Sequence, residues 1–298
     1  MTILRSPLFV PGNKANMLEK ALGLAVRPDA YVPDMEDSVP EAEKVSARET
    51  IRAFLPRLAA TRTPVIPRVN ALDTGLTRDD LAAVVGPHVF GVSIGKVRSA
   101  ADISRVSNLI GDLERDAGLA LGTVKLLPWI ETAEAIVHCY EICRASERIV
   151  AVAFGGEDFT HDMGVERLED ESQVAYARSA LCVAARAAHV LALDTPYFRL
   201  RNPEGLRLNA IAAKNIGFKG KFAIHPEQIE VLNESFAPSE REIEHARRVV
   251  AAFEEAERQG RGSTSLDGWV IDVPVVKRAR AVLALAGEKT RDRGADSA

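Results

Sequence analysis

Glu131 ends the run KLLPWIET (125–132), and Asp158 ends IVAVAFGGEDF (149–159). Each carboxylate stands where an apolar, strand-like stretch stops. Two acids so placed are the layout of a cation site at the mouth of a parallel α/β fold. A hard cation such as Mg²⁺ takes one or two protein carboxylates and leaves its other positions to water and an anionic substrate. Each acid has a plain structural alternative: Glu131 as cap of the helix beginning TAEAIVH, Asp158 as a local turn. Their occurrence together at matching strand ends favours the metal role, with Glu131 also near the substrate. Arg68, in RVN, adds a guanidinium, which pairs with a carboxylate through two parallel hydrogen bonds and suits a substrate acid better than lysine would. Its alternative is a salt bridge to Glu36 or Asp37, and the two uses are compatible. Glu36 and Asp37 are too many acids for one divalent ion if all ligate directly. They are expected to stand behind it, holding Arg68 or metal-bound waters. Lys96 and His225 are weaker candidates, a counter-charge on an acidic rim and a loop residue ahead of Pro226.

These residues need elements that bring them together. Short β-branched runs occur at 4–11, 30–36, 64–70, 90–97, 125–131, 149–155, 190–196 and 220–226. Between them lie helix-length segments such as 16–24, 41–59 and 172–188, with apolar positions at three- and four-residue spacing. Eight β–α units predict a (β/α)₈ TIM barrel over 1–230. The rival is a doubly wound open sheet, whose dinucleotide form would carry a GxGxxG turn that this chain lacks. In a barrel, chemistry lives at the C-terminal strand ends. The expected rim then holds Arg5 early in strand one, Glu36 and Asp37, Arg68 and Asn70, Lys96, Glu131, Glu157 and Asp158, Asp194 and His225. Glu157 is expected to point away if Asp158 faces the metal.

A C-terminal helical extension, 231–287, follows the complete barrel and should pack on it or on a neighbouring subunit. Ser239 with Glu242 three residues on is a capping box that opens its first long helix. The charged, small-residue tail 288–298 is expected to be disordered.

Composition bounds the rest. Of 298 residues, 47% are hydrophobic and 27% charged, with a net charge of −4. That is a globular pattern with no basic excess for nucleic acid. No apolar run approaches a membrane span, and the N-terminus lacks a secretory pattern. Three cysteines suit a reducing, cytoplasmic compartment. Cys139 and Cys143 beside His138 lack the further ligands a zinc site needs, so buried small residues are the better reading.

The ordered blocks RSPLFVPGNKANMLEKA (5–21), PDMEDSVPEAEK (33–44), RVNALDTG (68–75), GKVRSAADI (95–103), WIETAEAI (129–136), FGGEDFTHDMG (154–164), GFKGKFAIHPEQI (217–229) and GWVIDVPVVKRA (268–279) carry a resemblance. The chain resembles the citrate lyase β-subunit-like family of the HpcH/HpaI aldolase superfamily, nearest its stand-alone citramalyl-CoA and malyl-CoA lyases. The likeness runs to about residue 286. It implies a homotrimeric (β/α)₈ enzyme with Mg²⁺, a coenzyme A thioester substrate and a small keto acid. Glu131 and Asp158 would hold the metal, and Arg68 would contact the substrate's carboxylate end. Asp272 would reach a neighbouring subunit's site as the catalytic acid or base. Arg5 and Lys14 would lie near the phosphates of coenzyme A. The chain departs from the family's pattern at Gly95 and Arg98, where PKVES is usual, at Pro33, and in the more basic PYFRLRNPEG (196–205). The expected reaction cleaves a 3-hydroxy-3-carboxyacyl-CoA into acetyl-CoA and a 2-keto acid. The alternatives are a malyl-CoA thioesterase, a citrate lyase β subunit acting on an acyl-carrier protein, and a barrel without catalysis.

Overall fold

A computed structural model describes residues 3–168 and 170–287; the tail expected to be disordered lies outside them. The chain divides into two compact units, Met1–Asn233 and Glu234–Ala298. The break falls inside a helix, a few residues beyond position 230.

The first unit alternates strands and helices throughout: β1 (Pro7–Pro11), α1 (Ala15–Leu22), β2 (Ala30–Asp34), α2 (Lys44–Ala60), β3 (Arg68–Val69), α3 (Thr77–Val84), β4 (Gly91–Ile94) and α4 (Ala100–Asp116). It continues with β5 (Lys125–Ile130), α5 (Ala133–Val137), α6 (Cys139–Arg144), β6 (Ala151–Phe154), α7 (Gly156–Asp162), α8 (Ala175–Ala187), β7 (Leu191–Asp194), α9 (Pro203–Ile216), β8 (Gly220–Lys221) and α10 (Gln228–Phe236). The eight strands pair in parallel and in chain order. The ring closes where Ala223 N–H donates to Pro7 O at 2.8 Å and Phe9 N–H to Ala223 O at 2.9 Å. Gly220 is obligatory at this seam, because a Cβ there would lie 1.8 Å from Leu4 O. The expected eight-stranded barrel is the observed fold.

Side-chain parity builds the interior. Leu4, Ala30, Val32, Ile66, Leu127, Trp129, Ala151, Ala153, Leu193 and Phe222 form the inner core, with Phe9 packed on it. Successive residues alternate inward and outward, so Asp34, Arg68 and Glu131 continue the inward rows of Val32, Ile66 and Trp129. The outward rows are also apolar, because helices cover a parallel sheet. β3 and β8 are far shorter than the runs expected at 64–70 and 220–226. In β3 the reason is Pro64 and Pro67, which have no N–H to give the ladder.

The second unit contains α11 (Glu240–Arg258), the hairpin β9 (Thr264–Leu266) and β10 (Trp269–Ile271), and α12 (Val273–Leu285). Ser239 and Glu242 make the expected capping box on α11. Asp267 and Gly268 both have positive φ, 52° and 83°. This is the Asp-Gly turn of a two-residue hairpin, and it adds a ribbon to a segment expected to be a helical extension. Ala246, Val249, Phe253, Ile271, Val276, Ala279 and Leu283 form this unit's core. Trp269 is 78% exposed, whereas Trp129, inside the barrel, is 3% exposed. Among the described residues, no helix is long and apolar enough to cross a membrane.

Candidate active site

Glu131 follows β5 directly and faces inward, 3% exposed. Its Oε1 accepts the backbone N–H of Lys96. Two glycines make room for this carboxylate: a Cβ on Gly155 would lie 2.3 Å from Oε2, and one on Gly95 would lie 3.0 Å from Oε1. Asp158 does not close β6 as the sequence suggested. The strand stops at Phe154, and Gly155 leads into α7, whose first turn carries Asp158. Its neighbour Glu157 turns away to Arg167, at 2.7 Å.

Both acids have raised pKa values. Burial pushes Glu131 up to about 8, and the charges of Asp158 and Glu36 add to it. Burial likewise raises Asp158, with repulsion from Asp37, against the pull of Lys96 and Arg68. Among the described residues, no donor pairs with Glu131 Oε2 or with the Asp158 carboxylate. No group of three or more His, Cys, Asp or Glu side chains among those residues forms a metal cage. Two hard oxygen donors short of positive charge fit Mg²⁺, which keeps water and substrate as its remaining ligands.

Arg68 faces the same cavity from β3. Its Nε and Nη2 donate to the two oxygens of Asp34, both at 2.7 Å. Its Nη1 meets Glu36 Oε2 at 2.8 Å and Asp37 Oδ2 at 3.2 Å. The guanidinium also lies 4.6 Å from the Phe9 ring centre, a cation–π contact. Burial opposes its charge, but the surrounding acids win and raise its pKa. Asp34 is held low: burial pushes it up, and Arg68 with hydrogen bonds from the Ser38 side chain and the Glu36 amide pulls it down further. Glu36 stays high, because burial and Asp37 outweigh its cations. Sequence reasoning missed Asp34, yet its parity with Val32 and Glu36 on one inward row was a usable signal.

The remaining candidates divide. Lys14, in the turn after β1, is exposed and 3.7 Å from Glu43. Arg5 is a correction: it precedes β1, so it lies at the N-terminal end of the barrel, opposite the rim that carries Glu131. There it is paired doubly with Asp29, at 2.8 and 3.0 Å. Asp194 is another correction. One step out of phase with inward Leu193, it points into the helix layer, where Arg178 (2.7 Å) and Lys221 (2.6 Å) bind it. That buried chain continues through Glu171 to Arg167, which also meets the exposed Glu157 beside Asp158. Asn70 turns to Asp80 at 2.6 Å, and His225 Nδ1 accepts the Glu227 N–H. Asp272 belongs to the second unit, where it caps α12 by accepting the Val275 N–H at 3.2 Å.

The cysteines are free and buried.

Residues 5–226 match the model of the HpcH/HpaI aldolase/citrate lyase family. The citrate lyase subunit beta of Leuconostoc mesenteroides subsp. cremoris is 38% identical over 282 residues, covering 95% of this chain and 93% of the relative. A (3S)-malyl-CoA thioesterase of Cereibacter sphaeroides is also 38% identical, covering 95% and 94%. Among solved structures, protein CitE from Mycobacterium tuberculosis, in complex with magnesium, acetoacetate and coenzyme A, superposes with a TM-score of 0.78. It is 30% identical over 95% of this chain and 98% of that one.

Proposed function

The chain belongs to the HpcH/HpaI aldolase/citrate lyase family, and from that premise we propose a Mg²⁺-dependent carbon–carbon lyase. Its substrate would be a 3-hydroxy-3-carboxyacyl-CoA of the citramalyl-CoA or malyl-CoA type, split into acetyl-CoA and a 2-keto acid. The observation that carries this is the uncompensated pair Glu131 and Asp158 facing the cavity beside a clamped guanidinium. Relatives named as lyase subunit and thioesterase support the substrate class.

When bound, the cation would supply Lewis-acid polarisation of the substrate's hydroxyl and carboxylate. Glu131 and Asp158 would hold it, and Lys96 N–H fixes one oxygen of Glu131. Arg68 orients the acid end of the substrate. Asp34 keeps the guanidinium plane rigid, and exposed Asp37 is the partner a substrate carboxylate would displace. Trp129, Phe9 and Phe222 form the dry floor beneath, which strengthens every charge interaction above it. Asp272 would exchange a proton with the acetyl-CoA enolate carbon, acting in a neighbouring copy of a homotrimer. Its Oδ1 is engaged as a helix cap, which leaves Oδ2 for that task. Lys14 remains a candidate for the thioester's phosphates; Arg5 does not. A cytoplasmic location agrees with three reduced thiols.

A thioesterase reading has equal support from identity, and a carrier-protein-dependent β subunit has the same. Incubation with citramalyl-CoA and malyl-CoA, with and without Mg²⁺, separates them when keto acid and free thiol are followed independently. The lyase releases keto acid with acetyl-CoA. Free thiol without keto acid means thioesterase, and inactivity on CoA esters with activity on an acylated carrier means the β subunit. Glu131→Ala is expected to lower keto-acid formation at least 100-fold; retention of activity in that variant or in excess chelator overturns the metal assignment.

A further inference from the structure

Five carboxylates crowd the rim, from Asp34, Glu36, Asp37, Glu131 and Asp158, against two cations, Arg68 and Lys96. Left to themselves, four of these acids would compete for one divalent ion. The dipeptide Gly95–Lys96 lies between the two groups and touches both. A Gly95 Cβ would stand 2.9 Å from Glu36 Oε1 and 3.0 Å from Glu131 Oε1, so the missing methyl lets both carboxylates close in. Lys96 then binds each of them differently. Its backbone N–H donates to Glu131. Its Nζ meets Glu36 Oε1 at 2.8 Å and Asp37 Oδ1 at 3.3 Å.

The pairing is complementary atom by atom. Arg68 takes Glu36 Oε2 and Asp37 Oδ2, and Lys96 takes the other oxygen of each. Both acids are thereby satisfied on both oxygens, while Glu131 Oε2 and Asp158 are not. Lys96 reaches this geometry at φ 55°, a left-handed conformation uncommon outside glycine, asparagine and aspartate. Strain of this kind persists where surrounding contacts hold it and marks functional positions. Here the left-handed turn aims the amide at Glu131 while the flexible stem carries the ammonium the other way, to two acids on another strand's loop.

We propose that Lys96 is a positioning residue that partitions the rim carboxylates. Its amide sets Glu131 beside Asp158 as the cation pair, and its ammonium ties Glu36 and Asp37 to the set that holds Arg68. A divalent ion therefore meets two carboxylates instead of four, the number that suits a small ion keeping its water and substrate ligands. The inference rests on the metal-dependent reading above.

The test counts bound Mn²⁺ by electron paramagnetic resonance and calorimetry, with Lys96→Gly and Lys96→Gln beside the unaltered protein. Glycine keeps the left-handed backbone and its amide; glutamine keeps the reach without the charge. The unaltered protein is expected to bind one Mn²⁺ and to prefer Mg²⁺ over Ca²⁺ in competition. Both variants are expected to bind Mn²⁺ at least tenfold tighter or to take a second ion, and to lose the preference for Mg²⁺, with the melting temperature of the glycine variant undiminished. Lys96→Arg should restore a single site of ordinary affinity. One Mn²⁺ at unchanged affinity and selectivity in both variants overturns the partition and leaves the metal reading standing. No Mn²⁺ bound by the unaltered protein overturns both.

Discussion

Glu131 is the residue in which burial and charge conflict most openly. Its folded pKa of about 8 lies well above its ordinary value of 4.5. Below pH 4.5 folded and unfolded chains both hold the proton. Between 4.5 and 8 only the folded chain does, so each step up in pH lowers stability, and above 8 the full cost is present. Without divalent ions, the protein should therefore be more stable at pH 5 than at pH 8.5. Glu131→Gln keeps an oxygen for the Lys96 amide and removes the charge. The metal-free variant is expected to be more stable than the parent at pH 8.5 by a few kcal/mol, and the two should converge near pH 4.5. Mg²⁺ should raise the parent's melting temperature and leave the variant's unmoved. Thermal melts across pH in chelator and in Mg²⁺ check this, and a variant less stable than its parent at pH 8.5 in chelator would refute it. At this scale Glu131, Asp158 and Arg68 stood out in the sequence as charged groups beside apolar runs, although Asp158 lies in the first turn of α7 and not at the end of β6. Asp34 was hidden, as the expected run continued past it to 36 although β2 ends on it, and its role depends on Arg68, 34 residues away. Arg5 misled because it stands just before β1 (Pro7–Pro11), at the strand's N-terminal end, and the rim lies past the strand's other end.

Elements decide whether those residues meet. The eight strands could be counted from hydrophobic runs, but their lengths could not. Prolines cut β3 to two residues, and β8 is equally short. Asp158 moved from strand to helix for a local reason, the Gly155–Gly156 pair between β6 and α7. Gly155 has φ −98° and ψ 87°, a conformation open to alanine, so its requirement is space and not backbone freedom. A methyl there would stand 2.3 Å from Glu131 Oε2 and 2.5 Å from its Cβ. Gly155→Ala is expected to rotate Glu131 away and weaken Mn²⁺ binding at least tenfold, with helical circular dichroism unchanged. Calorimetric titration measures it, and parental affinity in that variant would show that Glu131 is not a ligand. The other side of α7 is fixed by the Glu157–Arg167–Glu171–Arg178–Asp194–Lys221 chain. The pairs from Arg167 to Lys221 are largely buried, and such pairs add little net stability but are costly to break. Their worth here is to hold the helix that carries Asp158 in one place, and no spacing rule in the sequence connects those six residues.

The whole molecule is two units with separate cores, and the smaller one is built from a helical pair and a two-stranded ribbon. A small unit buries proportionally less surface and is correspondingly less stable, so it should yield to denaturant before the barrel. The chain happens to hold two tryptophans, one per unit, and their surroundings are opposite. Trp129 donates its indole N–H to Ser93 Oγ at 2.8 Å inside the barrel, while Trp269 stands in solvent on β10. They are a pair of built-in optical reporters. In Trp269→Phe, fluorescence follows the barrel alone and should shift to the red on unfolding. In Trp129→Phe, emission begins red and reports the ribbon. Urea titrations of the two single-tryptophan proteins are expected to give two midpoints, the Trp269 signal moving first; coincident midpoints would mean that the units unfold as one. The same contrast extends to ligands: a cation or substrate entering above the aromatic floor would change the emission of Trp129, giving a direct optical signal for occupancy of the site without following any reaction.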